Sequence, residues 1–345
     1  MDHIVAARSD HEAVTEWEKL KILGEGSYGT VSLAVLTAPE EAKGELIAVK
    51  TSKPHGLDSL QKEETILDSF FGCKEILRCI WSLFTLENGR FVYNLLMEFA
   101  PCGSLGDLIR KKPLSESQVR VYSRMLLKGL SLVHRFGVVH CDLKPDNILL
   151  FPSGEENDVD YQLKIADFGL SRTKDEVFDA DFWKIKFRGS PFYMSPESVM
   201  GRIETPLDIW SLGCMVIEMM TGFPAWNHIP TTRDLMFKLA FLKEAPPLPS
   251  GLSSLCQDFL NKCFVKDSAQ RWTANMLLDH PFISAAKSYM KKKKNQRKRQ
   301  MTKKKLNKEE ASVKEEAETT RERQCPSKNI RRNTECEVLD ANTAK

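Results

Sequence analysis

Residues 139–171 read VHCDLKPDNILLFPSGEENDVDYQLKIADFGLS. Two short apolar runs, Ile148 to Phe151 and Leu163 to Ala166, flank a polar segment rich in Gly, Asn and acidic residues. That pattern predicts a β-hairpin, and a hairpin returns its two ends to one place. One end carries Asp142, Lys144 and Asn147, the other Asp167. A single site then gathers two carboxylates, an amide and an ammonium. Oxygen donors of this kind suit a hard divalent cation such as Mg2+. Either aspartate alone reads as an ordinary solvated turn residue; the complete string leaves that reading little room.

Around this stretch lies a chain of 345 residues, 42% of them apolar, long enough for a two-lobed enzyme with a tail. Nine cysteines are scattered without CxxC pairs or metal-ligand spacing, which reads as reduced intracellular thiols. The opening MDHIVAARSDHEAV is too polar for a signal peptide, and no run approaches the length of a membrane span. A soluble protein of the cytoplasm or nucleus is expected. The net charge of +3 conceals an asymmetry: from Lys287 onward 19 Lys plus Arg stand against 9 Asp plus Glu, whereas the rest holds 31 against 38. A mildly acidic body gives no case for specific nucleic-acid binding. Residues 284–345 are expected to form a basic, disordered tail, with 12 basic residues between Lys287 and Lys308. Its KKKK and RKR clusters fit nuclear import better than membrane contact, because no apolar helical face accompanies them.

Taken from its start, the chain opens with an extension, residues 1–16, expected to be unstructured or weakly helical. A strand from Trp17 to Ile22 leads into Gly24-Glu25-Gly26-Ser27-Tyr28-Gly29. A lone GxGxxG also occurs in dinucleotide-binding folds, but there a helix follows the glycines directly. Here Thr30 to Val35 is β-branched and apolar, hence a second strand. A third, Leu46 to Val49, ends in Lys50, and a helix follows in which Glu63 and Glu64 compete to face that lysine. Glu63 shares the inward face of Ile66 and Leu67, three and four residues on, while Glu64 is turned about 100° away, so Glu63 is the predicted partner. Phe91 to Met97 reads as the last strand before a Pro/Gly-punctuated linker. Helical spacing follows over Ser115 to Phe136, Leu207 to Thr221, Gln257 to Phe264 and Ala274 to Leu278.

These motifs, in this order, resemble a eukaryotic protein kinase domain across residues 17–283. The resemblance implies an α+β, two-lobed kinase fold: a small antiparallel β-sheet N-lobe with one main helix (17–97), a hinge (98–103) and a mostly helical C-lobe (104–283). It makes ATP and Mg2+ the expected cofactors. Asp142 becomes the base that accepts the proton of the substrate hydroxyl, Lys144 the cation beside the transferring phosphoryl group, and Asn147 and Asp167 the metal ligands. Lys50 and Glu63 form the ion pair at the α and β phosphates. Gly24, Glu25, Gly26, Ser27, Gly29, Val31, Ala48, Met97, Glu98 and Ala100 surround the nucleotide. Ser190, in the GSPFYMSPE segment from Gly189 to Glu197, is similar to the threonine of the GTPxYMAPE segment that seats a Ser/Thr acceptor. Glu197 is expected to pair with Arg271, and Asp208 to brace the catalytic loop.

Within that family the spelling of HCDLKPDNILL, KIADFGLS and RGSPFYMSPE is similar to plant MEKK-like mitogen-activated protein kinase kinase kinases. That likeness implies phosphorylation of a MAP kinase kinase in a stress-signalling cascade, by a protein that is a monomer or transient dimer. A kinase-shaped scaffold with little catalysis is the alternative. One departure stands out: Cys141 precedes the base, where most kinases carry the arginine that grips a phosphorylated loop residue. Activation is therefore expected not to depend on that grip, although the loop from Leu170 to Arg188 still offers Ser171 and Thr173.

Overall fold

Alternating apolar residues over 16–98 pair into one antiparallel sheet in this computed structural model, which describes residues 4–5, 16–87, 89–153, 160–174, 176 and 188–284. The strands are β1 (Ile4–Val5), β2 (Glu16–Glu25), β3 (Gly29–Ala38), β4 (Leu46–Ser52), β5 (Cys79–Glu87) and β6 (Arg90–Glu98), in the spatial order β1-β5-β6-β4-β3-β2. The expected unstructured or helical N-terminal extension is corrected at one point: Ile4 pairs with Thr85 and Val5 with Phe84 at the sheet edge. Strand β5 has no counterpart in the sequence reading, because only Leu83 and Thr85 are buried along it and the alternation is too faint. From residue 285 onward the basic tail lies outside the described residues.

The period of two along β4 divides its work. Ile47 and Val49 join Ala34, Leu36, Leu83 and Leu96 in a small apolar cluster on one face. Ala48 and Lys50 point to the other, where Ala48 joins the main core. Across the ladder Lys50 stands opposite Val31 and Leu95, and Ala48 opposite Leu33 and Met97. A register slip of one residue would put Val49 where Lys50 stands. Helix α1 (Leu57–Asp68) buries Leu60, Ile66 and Leu67 and, among them, the acidic Glu63.

After the linker the chain turns helical: α2 (Leu105–Lys111), α3 (Glu116–Arg135), α4 (Pro196–Val199), α5 (Pro206–Thr221), α6 (Thr232–Phe237), α7 (Ser254–Cys263) and α8 (Ala274–Leu278). Both α2 and α3 begin with a capping box, Ser104 with Asp107 and Ser115 with Gln118. The buried stripe of α3 runs through Val119, Tyr122, Leu126, Leu130 and Val133, at the spacing of threes and fours that the sequence shows. Helix α5 is different, since every residue from Leu207 to Ile217 is buried and it has no solvent stripe. Gly213 permits this: a Cβ there would meet the Phe264 ring at 2.8 Å. The hairpin strands β7 (Ile148–Pro152) and β8 (Tyr161–Ile165) pair Ile148 with Ile165 and Leu150 with Leu163. Hydrogen bonds from Cys102 N–H to Leu150 O (3.3 Å) and from Leu150 N–H to Gly103 O (2.9 Å) tie the hairpin to the linker.

An ion pair closes the helical part. Arg271 is 3% exposed; it donates through both terminal nitrogens to Glu197 and also reaches the carbonyls of Pro206 and Val265. Replacing Glu197→Gln would leave a buried guanidinium without its counter-charge, which costs about 3–5 kcal/mol. Urea unfolding of parent and variant should show that loss; equal midpoints would mean that the pair is solvated in solution.

Candidate active site

The catalytic loop is shaped by a carboxylate that lies 68 residues away in sequence. Asp208, fully buried at the start of α5, accepts from the N–H of His140 (2.9 Å) and of Cys141 (3.0 Å) and also contacts His134 Nε2 at 2.9 Å. Cys141 adopts a left-handed φ of 71°, a conformation that costs a non-glycine residue about 1–2 kcal/mol. The paired bonds to Asp208 hold it there. His140 is also buried; one ring nitrogen meets Ala166 O at 3.0 Å and the other meets the Asp142 N–H at 3.2 Å. Asp142 thereby faces three groups. Lys144 Nζ lies 2.7 Å from its Oδ2, Asn147 Nδ2 donates to its Oδ2 at 3.2 Å and to its backbone carbonyl at 2.8 Å, and Ser190 Oγ donates to its Oδ1 at 2.8 Å. Lys144 also donates to Ser190 Oγ at 3.1 Å.

The hairpin delivers Asp167 beside this group, again with a left-handed φ, 63°. Lys50 Nζ donates to Asp167 Oδ1 at 2.8 Å and to Glu63 Oε2 at 2.5 Å. Glu63 Oε1 in turn accepts from the Phe168 N–H at 3.2 Å. Burial works against the charge on Lys50, but Glu63 and Asp167 outweigh it and hold the ammonium above the usual lysine range. Burial likewise opposes the Asp167 charge, and Lys50 overcomes it, so that carboxyl stays below the ordinary carboxylate range. The competition between the two glutamates of α1 is settled: Glu63 takes the lysine, whereas Glu64 takes the hydroxyls of Ser82 and Tyr93.

Between the sheet and the hairpin opens a cavity of about 690 Å³. Its lining brings together every expected nucleotide-site residue: Gly24, Glu25, Gly26, Ser27, Gly29, Val31, Ala48, Lys50, Met97, Glu98 and Ala100. The glycine turn closes on itself through Gly26 N–H to Gly29 O at 2.9 Å. Gly29 is required there, because a Cβ would come within 2.7 Å of Thr51 O. At the linker, the Glu98 N–H donates to Arg78 O and its carboxylate accepts from Lys164 Nζ at 2.6 Å, which fastens the strand end at both groups. Leu23 of β2, Leu77 between α1 and β5, and Leu149 of β7 add apolar wall that the sequence reading did not single out, since they lie far apart along the chain.

The donor set fits a divalent metal held jointly with phosphate. Asn147 uses its amide nitrogen on Asp142, which leaves its oxygen as the atom for a cation, and Asp167 is anionic. Among the described residues no group of three or more His, Cys, Asp or Glu could hold a metal alone. Two protein oxygens would leave most of a divalent cation's coordination positions to phosphate and water.

Two further residues emerge only in three dimensions. Phe168 is fully buried, its ring 4.8 Å from that of His140 and 6.2 Å from that of Phe70, so it links the turn after α1 to the catalytic loop. Gly189, at φ 107°, lies so close to the Cys141 carbonyl that a Cβ would collide with it. The expectation for the loop hydroxyls needs correction at Ser171: it is 0% exposed and donates to His140 O at 3.1 Å, so it serves as an internal brace and not as a modification site. Cys141 is also buried, its thiol directed to Val139 O at 3.4 Å and pushed well up by burial and then by Asp208. It therefore reads as a packed thiol with little thiolate.

Gly189→Ala should displace Ser190 from Asp142 without touching the cavity. Turnover is expected to fall by about tenfold or more, the scale of a misplaced group at a reacting centre, with binding to the cavity unchanged by calorimetry. Full turnover in that variant would show that the close approach of Gly189 is dispensable.

The protein kinase domain model matches residues 17–283. Mitogen-activated protein kinase kinase kinase 20 of Arabidopsis thaliana is 40% identical over 275 residues, which span 78% of this chain and 78% of that protein. Mitogen-activated protein kinase kinase kinase 18 of the same plant is 37% identical over 282 residues, 77% of each chain. Mitogen-activated protein kinase kinase kinase A of Dictyostelium discoideum is 34% identical over 280 residues, 78% of this chain and 28% of that one. With a kinase domain match over most of its length, the chain belongs to the protein kinase family, and these relatives make it similar to mitogen-activated protein kinase kinase kinases.

Proposed function

We propose that the chain transfers the γ-phosphoryl group of ATP to serine or threonine hydroxyls of a MAP kinase kinase. The observation that supports this most is a hydroxyl already resting on the base: Ser190 Oγ donates to Asp142 Oδ1 while accepting from Lys144. An incoming serine or threonine hydroxyl meets the same carboxylate, whose Oδ2 is steadied by Lys144 and Asn147. Asp142 orients that hydroxyl and takes its proton as the oxygen attacks. Lys144 stays near the charge that moves, and Lys50 steadies the nucleotide phosphates from the sheet side. Asn147 and Asp167 would hold Mg2+, which offsets phosphate charge as the bond to the leaving oxygen breaks. The scaffold reading has no support in the geometry, because lysine, base, amide and metal-loop aspartate are assembled together.

The substrate is tested directly by incubating the chain with ATP, Mg2+ and a panel of catalytically dead MAP kinase kinases, with Asp167→Ala as control. Labelling of Ser/Thr in one member by the parent only is the expected result; equal labelling by the variant would trace the signal to a contaminant, and none by either would remove this substrate class.

The basic segment after residue 284 supports a second part of the proposal, import into the nucleus. Residues 287–345 fused to a fluorescent reporter should concentrate it there; a wholly cytoplasmic signal would overturn this.

A further inference from the structure

Cys141 leaves the catalytic loop without the cation that ordinarily grips a loop phosphate, yet the loop is gripped. Glu176, nine residues past Asp167, accepts from two cations on different elements. Lys62 Nζ of α1 reaches its Oε1 at 3.0 Å, and Arg188 reaches its Oε2 at 3.0 Å. Both cations are bonded to backbone as well. Lys62 donates to Ser171 O at 2.8 Å, and Arg188 donates to Leu170 O at 3.5 Å and Ser171 O at 3.3 Å. Each of the three side chains is only about a quarter exposed. Lys62 adjoins Glu63, the partner of Lys50, and Arg188 adjoins Gly189 and Ser190, which seat against Cys141 O and Asp142. A single carboxylate thus joins the helix that positions Lys50 to the segment that positions the acceptor.

We propose that Glu176 is a positioning residue that does by sequence what a loop phosphate does by modification. The reasoning rests on the kinase reading above. An anion between Lys62 and Arg188 draws α1 and the Arg188–Ser190 segment to a common point, and charge-assisted hydrogen bonds to both give it direction as well as attraction. Burial opposes the charge on Glu176, but Lys62 and then Arg188 keep its carboxyl below the ordinary glutamate range, so the anion is present throughout the neutral range. The usual route to the same end lacks its cation, because the buried thiol of Cys141 offers no charge; of the two loop hydroxyls Ser171 is enclosed and Thr173 is part-exposed. The hydrogen bonds of Lys62 and Arg188 run to Glu176 and to the carbonyls of Leu170 and Ser171, and not to Asp142. Their effect on turnover passes through Glu63 and Ser190.

The test uses the full chain, treated with a broad phosphatase until mass spectrometry finds no phosphate, and a general serine-rich acceptor protein, so that the identity of the natural substrate does not enter. The dephosphorylated parent should retain kcat within about threefold. Glu176→Gln should lower kcat by about tenfold or more with KM for ATP little changed, the fold-change of losing one well-formed charged link. Glu176→Asp, which keeps the charge, should recover most of the rate. Lys62→Gln and Arg188→Gln should each reproduce the loss, and adding either to Glu176→Gln should deepen it little. Thermal midpoints of all variants should lie together, because the clamp is partly exposed; should Glu176→Gln unfold, the two single cation variants carry the same comparison. Full turnover by Glu176→Gln, or equal rates for Gln and Asp at that position, would overturn the proposal. So would a dephosphorylated parent as slow as Glu176→Gln, since a phosphate and not Glu176 would then set the geometry. A parent inactive with every acceptor before and after the treatment would instead strike the kinase reading on which the proposal stands.

Discussion

An ammonium group that is nearly dry is tolerable only with negative charge around it. Lys50 is 9% exposed, and its two carboxylates come from α1 and from the loop after β8, 13 and 117 residues along the chain. Meeting that one electrostatic requirement brings three elements to a point. Register along β4 aims the lysine, helical phase along α1 aims Glu63, and the hairpin returns Asp167. The cavity then follows, because the sheet, the linker and the hairpin have nowhere else to meet.

The catalytic loop is organised on the same economy of charge. Asp208 is an anion with no exposure, answered by two backbone N–H groups and His134, and those bonds stabilise a left-handed turn at Cys141. The turn matters because it orients Asp142 toward Ser190 and Asn147, and because its carbonyl leaves room opposite for a residue without a Cβ. Strain at Cys141 and Asp167 is thus located where chemistry needs a fixed side chain, and the surrounding hydrogen bonds over-determine it.

A cysteine can stand at position 141 because the loop is held by another charge. A cation there would have a task only if an anion had to be attached later. With Glu176 between Lys62 and Arg188, the anion belongs to the chain itself and its cations come from α1 and from the end of the activation segment. Ser171 adds to this hold, since its enclosed hydroxyl, bonded to His140 O, strengthens the base of the loop.

Much of the site was legible in the sequence for a specific reason. Local patterns carry it: period two for β4 and the hairpin, spacing of threes and fours for α1 and α3, and short strings such as Asp142 to Asn147 and Asp167 to Gly169, whose chemistry is set by residue type and order. The choice of Glu63 over Glu64 was of this kind, being a matter of helical phase. Strand β5, the pairing of Ile4 and Val5, the burial of Ser171 and the link from Glu176 to Lys62 across 114 residues were not. Each depends on which distant segment lies alongside, and no local period encodes that. The sequence by itself determined the chemical inventory and the elements that carry it; the tertiary structure decided which charges face one another, because long-range packing sets the distances over which charges and hydrogen bonds act.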